Sequence, residues 1–263
     1  MNSTLITQRL ADIDVQISPD QSRPLLFLLR MAAPSSGLWS AVWAPLTKHF
    51  TVAAFDFQQL EAAKRLDDPG EVFKSASDTC AAIASGLERQ SFHVFGWNGG
   101  THVALRCAVD HADRVASLLL LDVFFELPDM RHVEKAVAFK KLLFEQDRRL
   151  YAYYWTMAGL SDSFIANHFD QVEAIAKARL ENDRFINQNS EAFLRWVRGL
   201  RRNWLTSAEW TRITAPVLIL ATENDRWNAG PSIAMAEAVR DRLPRAELHI
   251  LKGVGGHFLI EDP

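Results

Sequence analysis

An α/β fold, with a mostly parallel, doubly wound sheet and a helical insertion, is what this sequence predicts, and three observations predict it. The first is a series of short, uninterrupted apolar runs, such as Leu25-Leu26-Phe27-Leu28-Leu29 and Val115–Leu121. Central parallel strands, covered on both faces, need such runs. The second is the alternation of these runs with segments of helical periodicity. The third is the stretch Val94-Phe95-Gly96-Trp97-Asn98-Gly99-Gly100-Thr101-His102. There an apolar strand breaks at a glycine, turns through one polar residue and passes two glycines into a helix. A turn this tight leaves little room for a Cβ at its flanks, and it lifts its apex residue, Asn98, over the end of the sheet.

Each element can be justified in order. Leu5–Ile17, with the alternation Ala11-Asp12-Ile13-Asp14-Val15-Gln16-Ile17, suits an antiparallel edge hairpin. Arg23-Pro24 introduces the strand Leu25–Leu29, and the loop Arg30–Gly37 follows. Leu38–Phe50 carries Trp39, Val42, Trp43 and Leu46 at helical spacing. Thr51–Phe55 is a strand ending at Asp56. Glu71–Arg89 is a helix with Val72, Phe73, Ala76, Cys80, Ile83 and Leu87 on one face. Phe92–Phe95 leads into the tight turn and Gly99–Asp110 is the helix out of it. Val115–Leu121 ends at Asp122. After Ala215-Pro216 come the strand Val217–Ala221, the helix Ser232–Leu243 and the strand Ala246–Leu251.

Between Phe124 and Thr214 the pattern is helical throughout: Met130–Leu143, Asp147–Met157, Asp162–Glu181 and Ser190–Trp204. This segment holds Tyr151, Tyr153, Tyr154, Trp155, Trp196, Trp204 and Trp210. It reads as a lid over the carboxyl ends of the strands, where active-site groups of such sheets lie. Residues 1–123 and 215–263 are thus expected to form the core, and residues 124–214 the lid.

Composition narrows the class. The 263 residues are 48% hydrophobic and 23% charged, ordinary for a globular protein. A net charge of −3 gives no reason to expect nucleic acid or an anionic membrane as partner. No apolar run is long enough to span a bilayer, and the N-terminus lacks the basic start and apolar core of a signal peptide. Cys80 and Cys107 lie in predicted helices and read as core fillers, so neither a disulfide framework nor a metal site is expected. The expectation is a cytoplasmic protein acting on a small molecule without a cofactor.

With these elements in place, the chain resembles the α/β-hydrolase superfamily over nearly its whole length. Gly96-Trp97-Asn98-Gly99-Gly100 resembles the nucleophile elbow, G-x-S-x-G. Thr222-Glu223-Asn224-Asp225 resembles the G-x-x-D loop, which makes Asp225 the implied catalytic acid. Gly255-Gly256-His257-Phe258-Leu259-Ile260-Glu261-Asp262-Pro263 resembles the G-H-F-x-x-E-x-P signature, which makes His257 the implied base. The three occur in the family's order, and the helical insertion sits where the family's cap sits. Asp122 is an alternative acid, at a strand end that some members use. The oxyanion hole implied by the resemblance combines the N–H of Gly99 with one from Met31 or Ala32. Trp97 and Trp39, neighbours of the elbow and the oxyanion loop, are the expected substrate-binding walls.

The departures matter as much. Arg30-Met31 stands where the family usually has His-Gly. Asp56–Ala63 replaces the usual D-x-x-G-x-G-x-S. The apex is Asn98, and the chain stops at Pro263, where the family continues into a final helix, as a piece of a longer chain would. An amide is a poor nucleophile, so the usual acyl-enzyme is not expected. Four readings stay open. Asn98 orients water or substrate while a His257–Asp225 dyad acts as general base. Alternatively, the same dyad serves a non-hydrolytic lyase, isomerase, cyclase or cofactor-free oxygenase of secondary metabolism. In a third reading Asn98 replaces Ser or Asp in a trapping variant, although Trp97 before the apex resembles Ser-type elbows. In a fourth the chain binds a ligand or a protein without catalysis. In the catalytic readings the expected substrate is small and largely apolar, aromatic or acyl. The run Arg195, Arg198, Arg201 and Arg202 reads as a solvated helix face.

Overall fold

The computed structural model describes residues 5–30, 39–64, 70–123, 130–181, 199, 205–224 and 232–261. Its strands are β1 (Ile6–Leu10), β2 (Ile13–Ile17), β3 (Leu25–Arg30), β4 (Thr51–Phe55), β5 (Phe92–Trp97), β6 (Val115–Leu121), β7 (Val217–Thr222) and β8 (Ala246–Leu251). They form one eight-stranded sheet in the order β1-β2-β4-β3-β5-β6-β7-β8. The expected edge hairpin is β1–β2. Ala11 and Asp12 join it with φ of 49° and 65°, the two positive values that a two-residue type I′ turn demands. β2 also pairs antiparallel with β4, and from β4 to β8 every pair is parallel.

The apolar runs are buried because helices cover both faces. These are α1 (Ser40–Leu46), α2 (Phe57–Lys64), α3 (Glu71–Gly86), α4 (Gly100–Asp110), α9 (Ser207–Trp210), α10 (Ser232–Arg240) and α11 (Phe258–Glu261), with an insertion to follow. Every residue of β3 and β4 is buried. Alternate residues of a strand face opposite sides, and here the two sides become two clusters. Leu25, Phe27, Leu29, Phe92 and Val94 join the apolar faces of α3 and α4. Leu26, Leu28, Phe95 and Trp97 join Trp39 and Trp43 on the other side. The same parity puts Arg30 on the side of Trp97. Cys80 and Cys107 are buried free thiols in the first cluster.

Between β6 and β7 lies the helical insertion, with α5 (Met130–Gln146), α6 (Arg148–Ala158), α7 (Asp162–Asn167) and α8 (Phe169–Glu181). Asp147 caps α6, accepting from the backbone N–H of Arg149 at 2.8 Å and of Leu150 at 3.1 Å. Where the pattern suggested one helix over Asp162–Glu181, the chain breaks at His168 (φ −135°). The break lets Phe164 and Val172 meet Leu160 in one small cluster. Of the expected helix Ser190–Trp204 only Gly199 is described, and it is helical; the arginine run and Trp196 lie outside the described residues. α2 covers most of Asp56–Ala63, a stretch noted in the sequence only as a departure from family pattern. No described helix is long and apolar enough to cross a membrane.

Candidate active site

The tight turn sits at the carboxyl end of β5. Asn98 has φ +53°, a left-handed conformation that costs a non-glycine residue about 1–2 kcal/mol. Its neighbours enforce it. The Asn98 N–H donates to the Leu121 carbonyl at 2.9 Å, and the Asn98 carbonyl accepts from the Thr101 N–H at 2.9 Å. A Cβ on Gly96 would lie 2.5 Å from the Gly100 carbonyl oxygen, and one on Gly100 would lie 2.0 Å from that of Leu29. Gly96 and Gly100 are therefore steric necessities. Gly99, at φ −59°, is in ordinary helical conformation. Its N–H and the Asn98 amide have no hydrogen-bond partner among the described residues, so both keep bonding capacity.

His257 lies in the turn before α11 and is 2% exposed. Its ring meets Trp97 edge-on, with centroids 6.0 Å apart. Arg30 comes up from the end of β3: its guanidinium stands 3.9 Å from the Trp97 ring centroid, and its Nη2 is 3.5 Å from His257 Nε2. Arg179, on α8, donates to Thr156 Oγ1 at 3.2 Å. Burial holds the imidazole well below its ordinary pKa, and the charges of Arg179 and Arg30 push the same way. His257 is therefore neutral at pH 7, the state a resting general base needs, but its basicity is reduced. Arg179 is itself pushed down to about 10, chiefly by burial, with Tyr151 countering; it remains charged at neutral pH.

The insertion fixes His257 in place. The His257 N–H donates to the Gly159 carbonyl at 2.7 Å. Glu261 clasps the same turn: Oε1 accepts from the N–H of Ser161 at 2.8 Å and of Gly255 at 3.0 Å, and Oε2 accepts from Ser161 Oγ at 2.6 Å. The approach is so close that a Cβ on Gly159 would fall 2.2 Å from His257 Nδ1, and one on Gly255 would fall 2.7 Å from the Gly159 carbonyl oxygen.

The remaining expected residues divide. Asp122 is fully buried with φ +47°. Its Oδ1 accepts from the N–H and Oγ1 of Thr222, at 3.0 and 2.8 Å, and from Ser232 Oγ at 3.4 Å. That oxygen ties the ends of β6 and β7 to α10. Trp97 and Trp39 are both fully buried. Trp97 meets His257 directly; Trp39 stands behind it, edge-on to Trp97 and Phe95 at 5.5 and 5.0 Å. Asp225, Met31 and Ala32 lie outside the described residues. Among the described residues no cluster of three or more His, Cys, Asp or Glu side chains is placed to hold a metal.

Sequence reasoning noted Arg30 only as a departure from the family's pattern, and passed over Arg179 and Gly159. Arg30 carried a signal, a charge closing an otherwise apolar central strand. Arg179 and Gly159 carried none, because one is a cation among several in a polar helix and the other is an ordinary helix-ending glycine.

Comparison with known structures bears on the fold. At a TM-score of 0.79 and 17% identity, the chain is similar to 2-hydroxy-6-oxo-6-phenylhexa-2,4-dienoate hydrolase from Rhodococcus sp. strain RHA1, with 98% of this chain and 94% of that one covered. A meta-cleavage product hydrolase variant gives 0.74 and 16%, covering 97% and 92%. A serine hydrolase from the polyaromatic-hydrocarbon-degrading bacterium Cycloclasticus zankles gives 0.74 and 16%, covering 98% and 93%. At these identities the likeness concerns the fold. No curated protein sequence matches the chain. Residues 32–263 match the alpha/beta hydrolase family, and the chain belongs to that family.

Proposed function

We propose that the chain is a hydrolase-like enzyme for a small, largely apolar substrate, aromatic or acyl, with His257 as general base and Asn98 positioning water or substrate. The observation that carries this reading is the strained apex. Asn98 is held at φ +53° beside two glycines that admit no Cβ, with a buried, neutral imidazole against the preceding Trp97. Strain of this kind persists only where surrounding structure over-determines it, and it clusters at functional sites. Asp225 is the proposed acid orienting His257, residues 124–214 are the proposed lid, and Gly99 with Met31 or Ala32 the proposed oxyanion hole. The aromatic side of the reading is supported by two of the similar structures, one of which is by name a phenylhexadienoate hydrolase and the other a meta-cleavage product hydrolase.

The test is turnover by the purified chain on a panel of aryl and acyl esters and vinylogous diketones, repeated in His257→Ala and Asn98→Ser. Loss of a general base lowers kcat by about 10²–10⁴. A His257→Ala variant that keeps full turnover removes the reading. An Asn98→Ser variant that gains ester hydrolysis supports an intact hole and base beneath an apex that does not attack.

A further inference from the structure

The insertion carries an apolar face on its outside as well as its inside. On α6, Leu150, Tyr153, Tyr154 and Met157 recur at i, i+3, i+4 and i+7, the spacing that puts side chains on one face of a helix. The core-facing side of α6 is already supplied by Tyr151, Ala152, Trp155 and Thr156, all buried. The first set is left at the surface: Leu150 is 52% exposed, Met157 is exposed, and both tyrosines are partly so. Neighbouring helices extend the face on either side. The Phe139 ring of α5, 48% exposed, meets Tyr154 edge-on at 5.5 Å, and the Phe169 ring of α8, 49% exposed, stacks on Tyr153 at 6.5 Å. A half-exposed aromatic leaves about 100 Å² open, so the six residues present roughly 400–600 Å² of mostly apolar surface, the upper end of what a monomer carries. With a polar rim, such a face approaches the roughly 800 Å² per partner of a standard interface.

The charges at the rim select the occupant. The Arg149 guanidinium stands 5.7 Å from the Tyr153 ring centroid, and the Tyr153 hydroxyl donates to Glu173 at 3.0 Å. Lys135, one turn before Phe139, and Asp170, next to Phe169, are exposed and add one charge of each sign. An anionic lipid surface draws a face whose rim is basic, and this rim is balanced. A second copy, turned by a two-fold axis, offers the same apolar centre and both signs of charge in return, and a net charge of −3 opposes its approach little. We propose that this outer face of the insertion is the contact between two copies of the chain, with Leu150 and Met157 at its centre and the Phe139 and Phe169 rings on its flanks. Association of this kind is independent of the chemistry proposed for Asn98 and His257.

Sedimentation velocity of the full chain over a concentration series is expected to show a reversible monomer–dimer equilibrium. Leu150→Glu and Phe169→Glu each place an acid in the first turn of a helix, where the backbone N–H groups favour it. Both variants are therefore expected to keep the far-UV dichroism and urea midpoint of the unmutated chain. A two-fold contact meets every substitution twice, and a charge forced into its apolar centre is left unpaired, so each variant is expected to weaken dimerisation at least about tenfold. Ile250→Glu, at an exposed apolar position on β8, is the control and leaves the equilibrium unchanged. A chain that stays monomeric up to about 100 µM overturns the proposal without any variant. A dimer that survives both Leu150→Glu and Phe169→Glu, or one lost in Ile250→Glu alone, overturns it by placing the contact elsewhere. Co-sedimentation with phosphatidylglycerol vesicles tests the lipid alternative: a monomeric chain that pellets with them, and does so less in Leu150→Glu, overturns the proposal in favour of a lipid surface.

Discussion

The two halves of the candidate site are held in place by different means. The elbow is set almost wholly by its own backbone: two glycines within five residues, an apex with positive φ, and hydrogen bonds to adjoining segments. The proposed base is set by contacts that span the chain. His257 is fixed by Gly159 from the insertion, approached by Arg30 from β3, and acted on by Arg179 from α8. The first half is local geometry and the second is tertiary packing. Damage to the elbow should therefore appear as lost stability, and damage around His257 as lost function with smaller loss of stability.

The largest effect is expected from Gly100→Ala. The new Cβ would stand 2.0 Å from the Leu29 carbonyl oxygen, in a central strand that cannot retreat without disturbing β4 and β5. Overpacking of this kind costs about 3 kcal/mol or more when the obstacle is backbone. Urea unfolding measures it as a lower midpoint with unchanged slope. A midpoint within error of the unmutated chain would mean that the turn is softer than its geometry implies, and the contrast between the halves would collapse.

Gly159→Ala probes the other half. Its Cβ meets the movable ring of His257, at 2.2 Å from Nδ1, and the ring can rotate where a strand cannot. The expected result is a fall in kcat of about a hundredfold, with about 1–2 kcal/mol lost from stability, since misplacing a reacting group by an ångström has that scale of effect on rate. The readout is the ratio of the two losses. A variant that unfolds as readily as Gly100→Ala, or one that keeps full kcat, would erase the distinction.

This division explains what could be read beforehand. The strands from Leu25 to Thr222 were legible because burial on both faces demands largely apolar runs, and the hairpin because polar and apolar residues alternate over Ala11–Ile17. The elbow was legible because its glycines are adjacent in sequence. His257 was visible only through resemblance; nothing in Gly255-Gly256-His257 says what the ring will face. Arg30 was noticed as a departure and its destination was not, since a strand's parity gives the face of a side chain but not its neighbours across the molecule. The clasp between Ser161 and Glu261 spans 100 residues, and no local periodicity encodes it. The split at His168 is likewise a packing decision taken by Leu160, Phe164 and Val172.

That clasp gives the third prediction. Glu261→Ala leaves the N–H groups of Ser161 and Gly255 and the Ser161 hydroxyl without their acceptor. These groups are only part-buried, so the loss is about 1–2 kcal/mol. The contacts of Glu261 hold the turn that carries His257, so it is expected to act as a positioning residue. Its removal should lower kcat while leaving KM nearly unchanged, and Glu261→Gln, which keeps one acceptor oxygen, should recover part of the rate. A loss confined to stability, equal in both variants, would make Glu261 structural only.

The smallest effect is the pH dependence of His257 itself, and its sign follows from burial. The folded state holds the ring below its ordinary pKa of 6.5, through burial and then through Arg179 and Arg30. The unfolded chain therefore binds a proton in a range where the folded chain does not. Above about pH 6.5 both states carry a neutral ring and His257 adds no pH dependence. As pH falls through 6.5 the unfolded state gains its proton first, and folding is penalised by at most about 1.4 kcal/mol for each further pH unit, until the folded pKa is reached. Comparing the unmutated chain with His257→Gln from pH 7.5 to 5 isolates the term, because the variant lacks the ring and keeps every other titrating group. The difference in stability should be flat above 6.5 and should turn against the unmutated chain below it. A difference that turns in its favour on acidification would mean that the folded ring is the more basic one. An acid would then outweigh burial and the two arginines, and the contrast between a locally built elbow and a ring held neutral by its buried tertiary surroundings would fail at its second half.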